Sequence, residues 1–211
     1  MKSDKKNIYY HKRVMDVLDP DYQKWFEQEA EYLRKTVTKN SKVLEVGCGE
    51  GRSLRDLLPI TKNLTGIDYD QKAVDEAKES LKSPTIKLLK AEATKLPFKE
   101  QEFDFVICMT TFANFGSLKH KALSEMSRVL KKEGKIIISV FNEDAWPARS
   151  RVYKKAGVKV ESVTNGKAIL HTGIPSEQFS KTELEVIFKK SKLKIDEIIK
   201  LKISYLCKLS K

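Results

Sequence analysis

The residues with most chemical content lie in one run, Val43-Leu44-Glu45-Val46-Gly47-Cys48-Gly49-Glu50-Gly51-Arg52-Ser53-Leu54. An apolar strand-like stretch enters a turn with glycine at every second position, and a helix-like segment leaves it. Such a turn lets backbone approach a ligand closely and offers amides to ligand oxygens. A dinucleotide site needs glycines spaced G-x-G-x-x-G, and a phosphate-binding P-loop needs Gly-Lys-Ser/Thr. This run meets neither requirement. Its spacing is G-x-G-x-G, Arg52 stands where a third glycine would allow close helix–strand packing, and Glu45 is foreign to the fingerprint. Seventeen residues beyond Gly51, a second strand-like run ends in Gly66-Ile67-Asp68-Tyr69-Asp70. A carboxylate at the carboxyl end of a second strand can accept both hydroxyls of a ribose. The two runs together fit an adenosine that carries a tail without phosphate.

The elements that position these residues alternate. A helix carrying Trp25, Phe26, Ala30, Leu33 and Val37 on one stripe follows the start signal Asp19-Pro20-Asp21. Strands are predicted at 42–46, 64–68, 86–89, 103–108 and 135–141. Helices fill the gaps after Gly51, from about Asp70 to Leu81, and through Leu123, Met126 and Leu130. Strands alternating with helices imply a parallel sheet covered on both faces. Past Phe141 the alternation stops. Runs at 158–163 and 167–172 flank Asn165-Gly166, a two-residue hairpin signal. A helix at 181–190 and strand-like runs at 193–199 and 201–209 close the chain, the last two short-linked as an antiparallel pair at the sheet edge. We therefore expect one α/β domain: a helical cap (1–40), a cofactor-binding core (41–142), a hairpin or lid insertion (143–180), and a closing helix with two strands (181–211).

These segments, in this order, resemble the class I S-adenosylmethionine-dependent methyltransferases, and in particular their "type 11" methyltransferase domain. The resemblance covers roughly residues 41–142. It implies a three-layer Rossmann-like sandwich whose seven-stranded sheet is mostly parallel with an antiparallel edge strand, with the hairpin inserted before the last helix. It implies S-adenosyl-L-methionine as cofactor, S-adenosyl-L-homocysteine as product, and no metal. Glu45, Gly47, Cys48, Gly49 and Gly51 match the motif facing the methionine part, and Asp68 matches the ribose-holding carboxylate. Tyr69 stands where a side chain packs on adenine. Ala91-Glu92-Ala93-Thr94-Lys95-Leu96-Pro97-Phe98 resembles Gly-Asp-Ala-x-x-Leu-Pro-Phe, which puts Glu92 and Ala93 at the adenine. Phe103 to Met109 resembles the fourth strand, whose end, Cys108 and Met109, lies beside the sulfonium. The run from Ala122 to Lys135 resembles the helix–turn–strand that follows; within it Glu125 and Arg128 are an i, i+3 pair with a structural role.

Methyl transfer from a sulfonium is an in-line displacement, so a general base is required only where the acceptor must lose a proton. The candidates are His171, His11 and Tyr10, with Tyr9 beside it; His120 falls at the start of a surface helix. After the fourth strand the chain reads Met109-Thr110-Thr111-Phe112-Ala113-Asn114-Phe115. That run lacks the Asn/Asp-Pro-Pro-aromatic motif of exocyclic-amine nucleobase methyltransferases. A small-molecule acceptor is expected, with Phe112, Asn114, Phe115, Trp146 and Tyr153 as pocket candidates. An RNA acceptor, tRNA included, stays open as an alternative, as does a cofactor-binding regulator without turnover.

Bulk properties bear on that choice. The 211 residues carry a net charge of +12, from 41 Lys and Arg against 29 Asp and Glu. Basic surfaces attract nucleic acid. Only seven of the 41 are arginine, the residue that reads phosphate bidentately, and the lysines are spread along the chain. Three widely spaced cysteines, Cys48, Cys108 and Cys207, form no CxxC pair, so neither a disulfide framework nor a zinc site is expected. The longest apolar run, Ile136 to Phe141, falls far short of the roughly 18 residues a membrane helix needs. With no apolar signal segment after the charged start, a cytoplasmic location is expected.

Overall fold

The structure, a computed structural model, describes residues 14–17 and 19–211. Helix α1 (Pro20–Thr36) begins where the Asp19 carboxylate accepts the Asp21 and Tyr22 amides at 3.1 and 3.3 Å. Pro20 takes the first helical position, where no N–H is needed. Then come β1 (Val43–Val46), α2 (Arg52–Leu57), β2 (Leu64–Asp68), α3 (Gln71–Leu81), β3 (Lys87–Lys90) and β4 (Phe103–Met109). Two 3-10 turns, Thr111–Asn114 and Gly116–Leu118, lead into α4 (Lys119–Val129) and β5 (Leu130–Phe141).

Seven strands form one sheet in the order β3-β2-β1-β4-β5-β10-β9, where β9 is Lys194–Lys200 and β10 is Ser204–Ser210. The five strands from β3 to β5 are parallel; β10 runs antiparallel to both β5 and β9. This is the expected three-layer fold. Strand alternation sorts the core into two faces. Leu44, Val46, Val106, Cys108, Ile136 and Ile138 pack with Leu123 and Met126 of α4. Val43, Ile107, Met109 and Ile137 pack with Leu54 and Leu57 of α2, Ala77 and Leu81 of α3, and Leu33 of α1. Each of these larger side chains is almost wholly buried, worth about 1.5–3 kcal/mol against exposure.

Between β5 and α6 (Lys181–Lys190) lie a helix, α5 (Trp146–Lys155), and a second sheet of β6 (Val160–Thr164), β7 (Lys167–Leu170) and β8 (Pro175–Glu177). The hairpin stands where expected: Asn165 and Gly166 both take positive φ, +49° and +75°, as a two-residue turn of this kind requires. Helix α5 and strand β8 are additions to the sequence reading. The buried face of α5 holds Arg149 among Ala148, Val152 and Tyr153, which breaks its apolar pattern, and β8 is three residues long and starts with proline.

Arg149 fastens this small sheet to the core. It is completely buried, donating to the Ser176 carbonyl (2.6 Å), Ser176 Oγ (2.9 Å) and Gln178 Oε1 (2.9 Å), with its guanidinium over the Phe141, Trp146 and Tyr153 rings. Glu177 adds an ion pair to Lys119 at 2.8 Å.

Candidate active site

The glycine turn leaves β1 at the carboxyl edge of the sheet. The Gly47 and Cys48 amides both donate to the Ile67 carbonyl, at 2.8 and 2.9 Å, which locks the turn against the end of β2. Gly47 has φ +77°, and a Cβ there would overlap Thr111 Cγ2. The Thr111 hydroxyl donates to the Gly47 carbonyl at 2.9 Å, so the turn and the loop after β4 are in direct contact. Asp68 ends β2 with one carboxylate oxygen on the Gly49 amide and the other on the Asp70 amide, each at 3.0 Å. Asp70, not Asp68, caps α3, accepting the Lys72 amide at 3.0 Å.

The third wall follows β3. The Ala91 amide donates to the Asp68 carbonyl at 2.9 Å, bringing Ala91–Thr94 alongside. Glu125 and Arg128 hold the next residues: Glu125 accepts the Leu96 amide at 2.8 Å, while Arg128 donates to the Leu96 and Phe98 carbonyls. The Arg128 bond in turn keeps the Glu125 carboxyl below its ordinary range.

These segments enclose a cavity of about 560 Å³, within the ~300–1,000 Å³ usual for small-ligand sites. Of the residues that the sequence offered for the cofactor, Gly47, Gly49, Asp68, Tyr69, Glu92 and Ala93 line it. A second cavity of about 30 Å³ adjoins it, sharing Gly47, Gly49, Glu50 and Thr111. Glu45, Cys48 and Met109 line that one.

Gly51 and Cys108 line neither cavity. A Cβ on Gly51 would meet the Leu81 side chain, so this glycine serves helix packing. Alternation along β4 turns Cys108 into the α4 face of the core and Met109 to the other. His171 also lies outside. Ala168 and Leu170 of β7 point inward, and the same alternation leaves His171 exposed, its amide donating to the Lys159 carbonyl. His120 opens α4 and contacts Ser191 Oγ through Nδ1 at 2.9 Å. Tyr9, Tyr10 and His11 lie outside the described residues. Phe112, Trp146 and Tyr153 are not pocket residues: Phe112 packs in the core against Phe179 and Phe188, and the other two surround Arg149. Asn114 and Phe115 do line the main cavity, joined by Thr111, Leu118 and the turn Thr172-Gly173-Ile174-Pro175. That turn belongs to the insertion expected to act as a lid or substrate loop, and it is the part of the insertion that lines the cavity.

The electrostatics of the main cavity are one-sided. Five carboxylates line it, Glu50, Asp68, Asp70, Glu76 and Glu92, and no Lys, Arg or His does so among the described residues. A pyrophosphate would meet like charge there, whereas a sulfonium nucleoside with an ammonium group meets complementary charge. The residues present therefore fit S-adenosylmethionine and not NAD. In the smaller cavity, burial pushes the Glu45 carboxyl up to about 8, with Arg52 and Ser53 pulling the other way, and its Oε2 lacks a hydrogen-bond partner. Burial likewise pushes the Cys48 and Cys108 thiols far up and the Cys207 thiol to about 12, so none is a ready thiolate nucleophile. No group of three or more His, Cys, Asp or Glu placed to hold a metal occurs among the described residues. Nor is any described helix long and apolar enough to cross a membrane.

A sequence model of the methyltransferase domain matches residues 44–138, the stretch from β1 into β5. The chain is 32% identical to the uncharacterized protein MJ1123 of Methanocaldococcus jannaschii over 149 residues, 67% of this chain and 68% of that protein. It is 30% identical to a demethylmenaquinone methyltransferase of Staphylococcus aureus over 137 residues, 61% of this chain and 56% of that one. A crystal structure of a SAM-dependent methyltransferase from Aquifex aeolicus superposes with a TM-score of 0.68 at 20% identity, covering 94% of this chain and 96% of that one. With the glycine turn, the carboxylate at the end of β2 and the cationic preference of the cavity already in place, the chain belongs to the class I S-adenosylmethionine-dependent methyltransferases.

Proposed function

We propose that this enzyme methylates a small, phosphate-free acceptor with an apolar face. The carrying observation is the lining of the main cavity: five carboxylates, no cationic side chain among the described residues, and the apolar side chains of Phe115, Leu118, Ile174 and Pro175. A polynucleotide acceptor would have to bring its phosphates past those carboxylates. The demethylmenaquinone methyltransferase relative supports the reading, since its name gives a small-molecule acceptor.

The cofactor, when bound, supplies an electrophilic methyl group. The chain supplies position. In this reading Asp68, Tyr69, Glu92 and Ala93 hold the nucleoside, and Glu45, Gly47, Cys48, Gly49 and Met109 face the tail. Thr111, anchored on the Gly47 carbonyl, and Asn114, whose amide donates to the Pro175 carbonyl at 2.8 Å, fix the acceptor side. Alignment of this kind contributes about 7–11 kcal/mol of barrier lowering. None of the described lining residues is a histidine or a lysine, so a proton released by the acceptor would pass to one of the lining carboxylates or to solvent. A ring nitrogen or an ionised enol, which presents its own lone pair at neutral pH, needs neither.

The test is transfer of labelled methyl from S-adenosylmethionine to a panel of quinols, aromatic heterocycles and amines, run beside bulk tRNA. Incorporation into a small molecule supports the proposal. Incorporation into tRNA alone sinks it, and binding of S-adenosylhomocysteine with no turnover on either class favours a non-catalytic binder.

A further inference from the structure

Part of the main cavity is walled by two segments far apart in sequence, the loop after β4 and the turn that leads into β8. Three contacts join them. The Asn114 amide donates to the Pro175 carbonyl at 2.8 Å, and a Cβ on Gly116 would already press on Pro175 Cγ at 3.1 Å. The third contact is ionic. Lys119, next to the lining residue Leu118, places Nζ 2.8 Å from Oε2 of Glu177, two residues past the lining residue Pro175. Lys167 of β7 approaches the other Glu177 oxygen at 3.3 Å. The Lys119 and Glu177 side chains are only 12% and 5% exposed.

An exposed ion pair contributes little, because water screens it and two long side chains must be ordered. A buried pair differs, since its partners cannot part without leaving a bare charge in a poorly solvated place. The Lys119–Glu177 attraction therefore resists any movement of β8 away from the start of α4. Neither side chain lines a cavity, so the two act only through the segments they join. We infer that Lys119 and Glu177 are positioning residues for methyl transfer. Their ion pair holds the Ile174–Pro175 turn against the loop after β4, limits the room left for the acceptor, and so selects acceptors by size. The inference rests on the reading that a small acceptor occupies the main cavity beside Phe115, Leu118, Ile174 and Pro175.

Pyridine, quinoline and acridine present the same ring nitrogen on one, two and three fused rings. Methylation of each uses the nitrogen lone pair to form the N–C bond while the C–S pair stays on sulfur, leaving a neutral thioether and a ring cation. Labelled-methyl transfer by the whole chain is expected to fall with ring count in wild type. Lys119→Ala/Glu177→Ala removes both buried charges together and should raise the acridine-to-pyridine ratio of kcat/KM about tenfold. Its affinity for S-adenosylhomocysteine should stay within about twofold of wild type. Lys119→Arg keeps the pair and should keep the wild-type ratio. A merely structural role would lower all three substrates in proportion, so a proportionate loss or an unchanged ratio in the double variant overturns the inference alone. Should that variant fail to fold, Glu177→Gln drops one charge at constant shape and carries the same comparison. Wild-type protein that methylates none of the three rings overturns the reading of a small ring acceptor, and the inference with it.

Discussion

Asp68 Oδ2 accepts the Gly49 amide at 3.0 Å, so the carboxylate expected to hold a ribose also holds the glycine turn in place. Its other oxygen accepts the Asp70 amide, tying the end of β2 to the start of α3. Removing it disturbs both jobs. Asp68→Ala is expected to cost two charge-assisted contacts to ligand, about 1.5–3 kcal/mol each, or at least a hundredfold in S-adenosylhomocysteine affinity. It should also lower stability by about 1–3 kcal/mol, because the Gly49 amide loses its acceptor. Asp68→Asn keeps one acceptor oxygen and should fall between. Calorimetry beside urea unfolding checks both; unchanged affinity in a folded Asp68→Ala protein would remove Asp68 from the cofactor site.

Glu45 makes stability depend on pH. Its folded-state pKa, raised to about 8 first of all by burial, lies well above the ~4.3 of a solvated glutamate. Between those values the folded chain keeps a proton that the unfolded chain has released, so this group's contribution to stability falls as pH rises through the window and levels off above it. Glu45→Gln fixes the neutral form. Its melting temperature should match wild type near about pH 4 and exceed it at about pH 8.5. Glu29, also raised by burial, is common to both proteins and cancels in the comparison. A difference that stays flat across pH would show that Glu45 ionises normally.

The cofactor half of the site was legible because its residues are local. Strand, glycine turn and helix are continuous in sequence from Val43 to Leu57, and Asp68 ends the next strand, so periodicity and spacing reach them. The acceptor half was legible only in part: Asn114, Phe115 and the insertion were expected at the pocket, but Phe112, Trp146 and Tyr153 do not line it. Pro175 arrives at Asn114 across 61 positions, through a hydrogen bond no local pattern encodes. Arg52 was legible only as a residue that excludes a dinucleotide; its partner Glu29 lies on α1, 23 positions away. In α5 the pattern itself misleads, because a buried arginine occupies a core position and the segment reads as polar. His171 marks the opposite error. A titratable residue beside a turn invites a catalytic role, but His171, just past the end of β7, is exposed and is not among the residues lining the cavity.

His171→Ala therefore should leave methyl transfer and cofactor affinity within about twofold of wild type, the scatter expected of an exposed surface change. Asn114→Ala should behave differently. It frees the Pro175 carbonyl and loosens the turn over the acceptor side, at a loss of about 0.5–1.5 kcal/mol for one neutral hydrogen bond. The expected signature is a raised KM for the acceptor with S-adenosylhomocysteine affinity unchanged. A tenfold loss of kcat in His171→Ala, with Asn114→Ala silent, would reverse these assignments.

Arg149 offers a way to separate the two halves of the site. Its side chain joins α5 to β8, and its bonds to Ser176 and Gln178 hold the strand that follows the Thr172–Pro175 turn. None of the cofactor candidates lies on that sheet. Arg149→Met preserves much of the volume against Phe141, Trp146 and Tyr153 but leaves the Ser176 carbonyl and Gln178 Oε1 without this donor. A loss of about 2–4 kcal/mol is expected from buried acceptors stranded in this way. That loss should be local: limited proteolysis should cut within 160–175 well below the global melting temperature, acceptor methylation should collapse, and S-adenosylhomocysteine should still bind. Parallel loss of cofactor binding and acceptor turnover would mean instead that the small sheet and the glycine turn fold as one cooperative unit, and that Arg149 supports both.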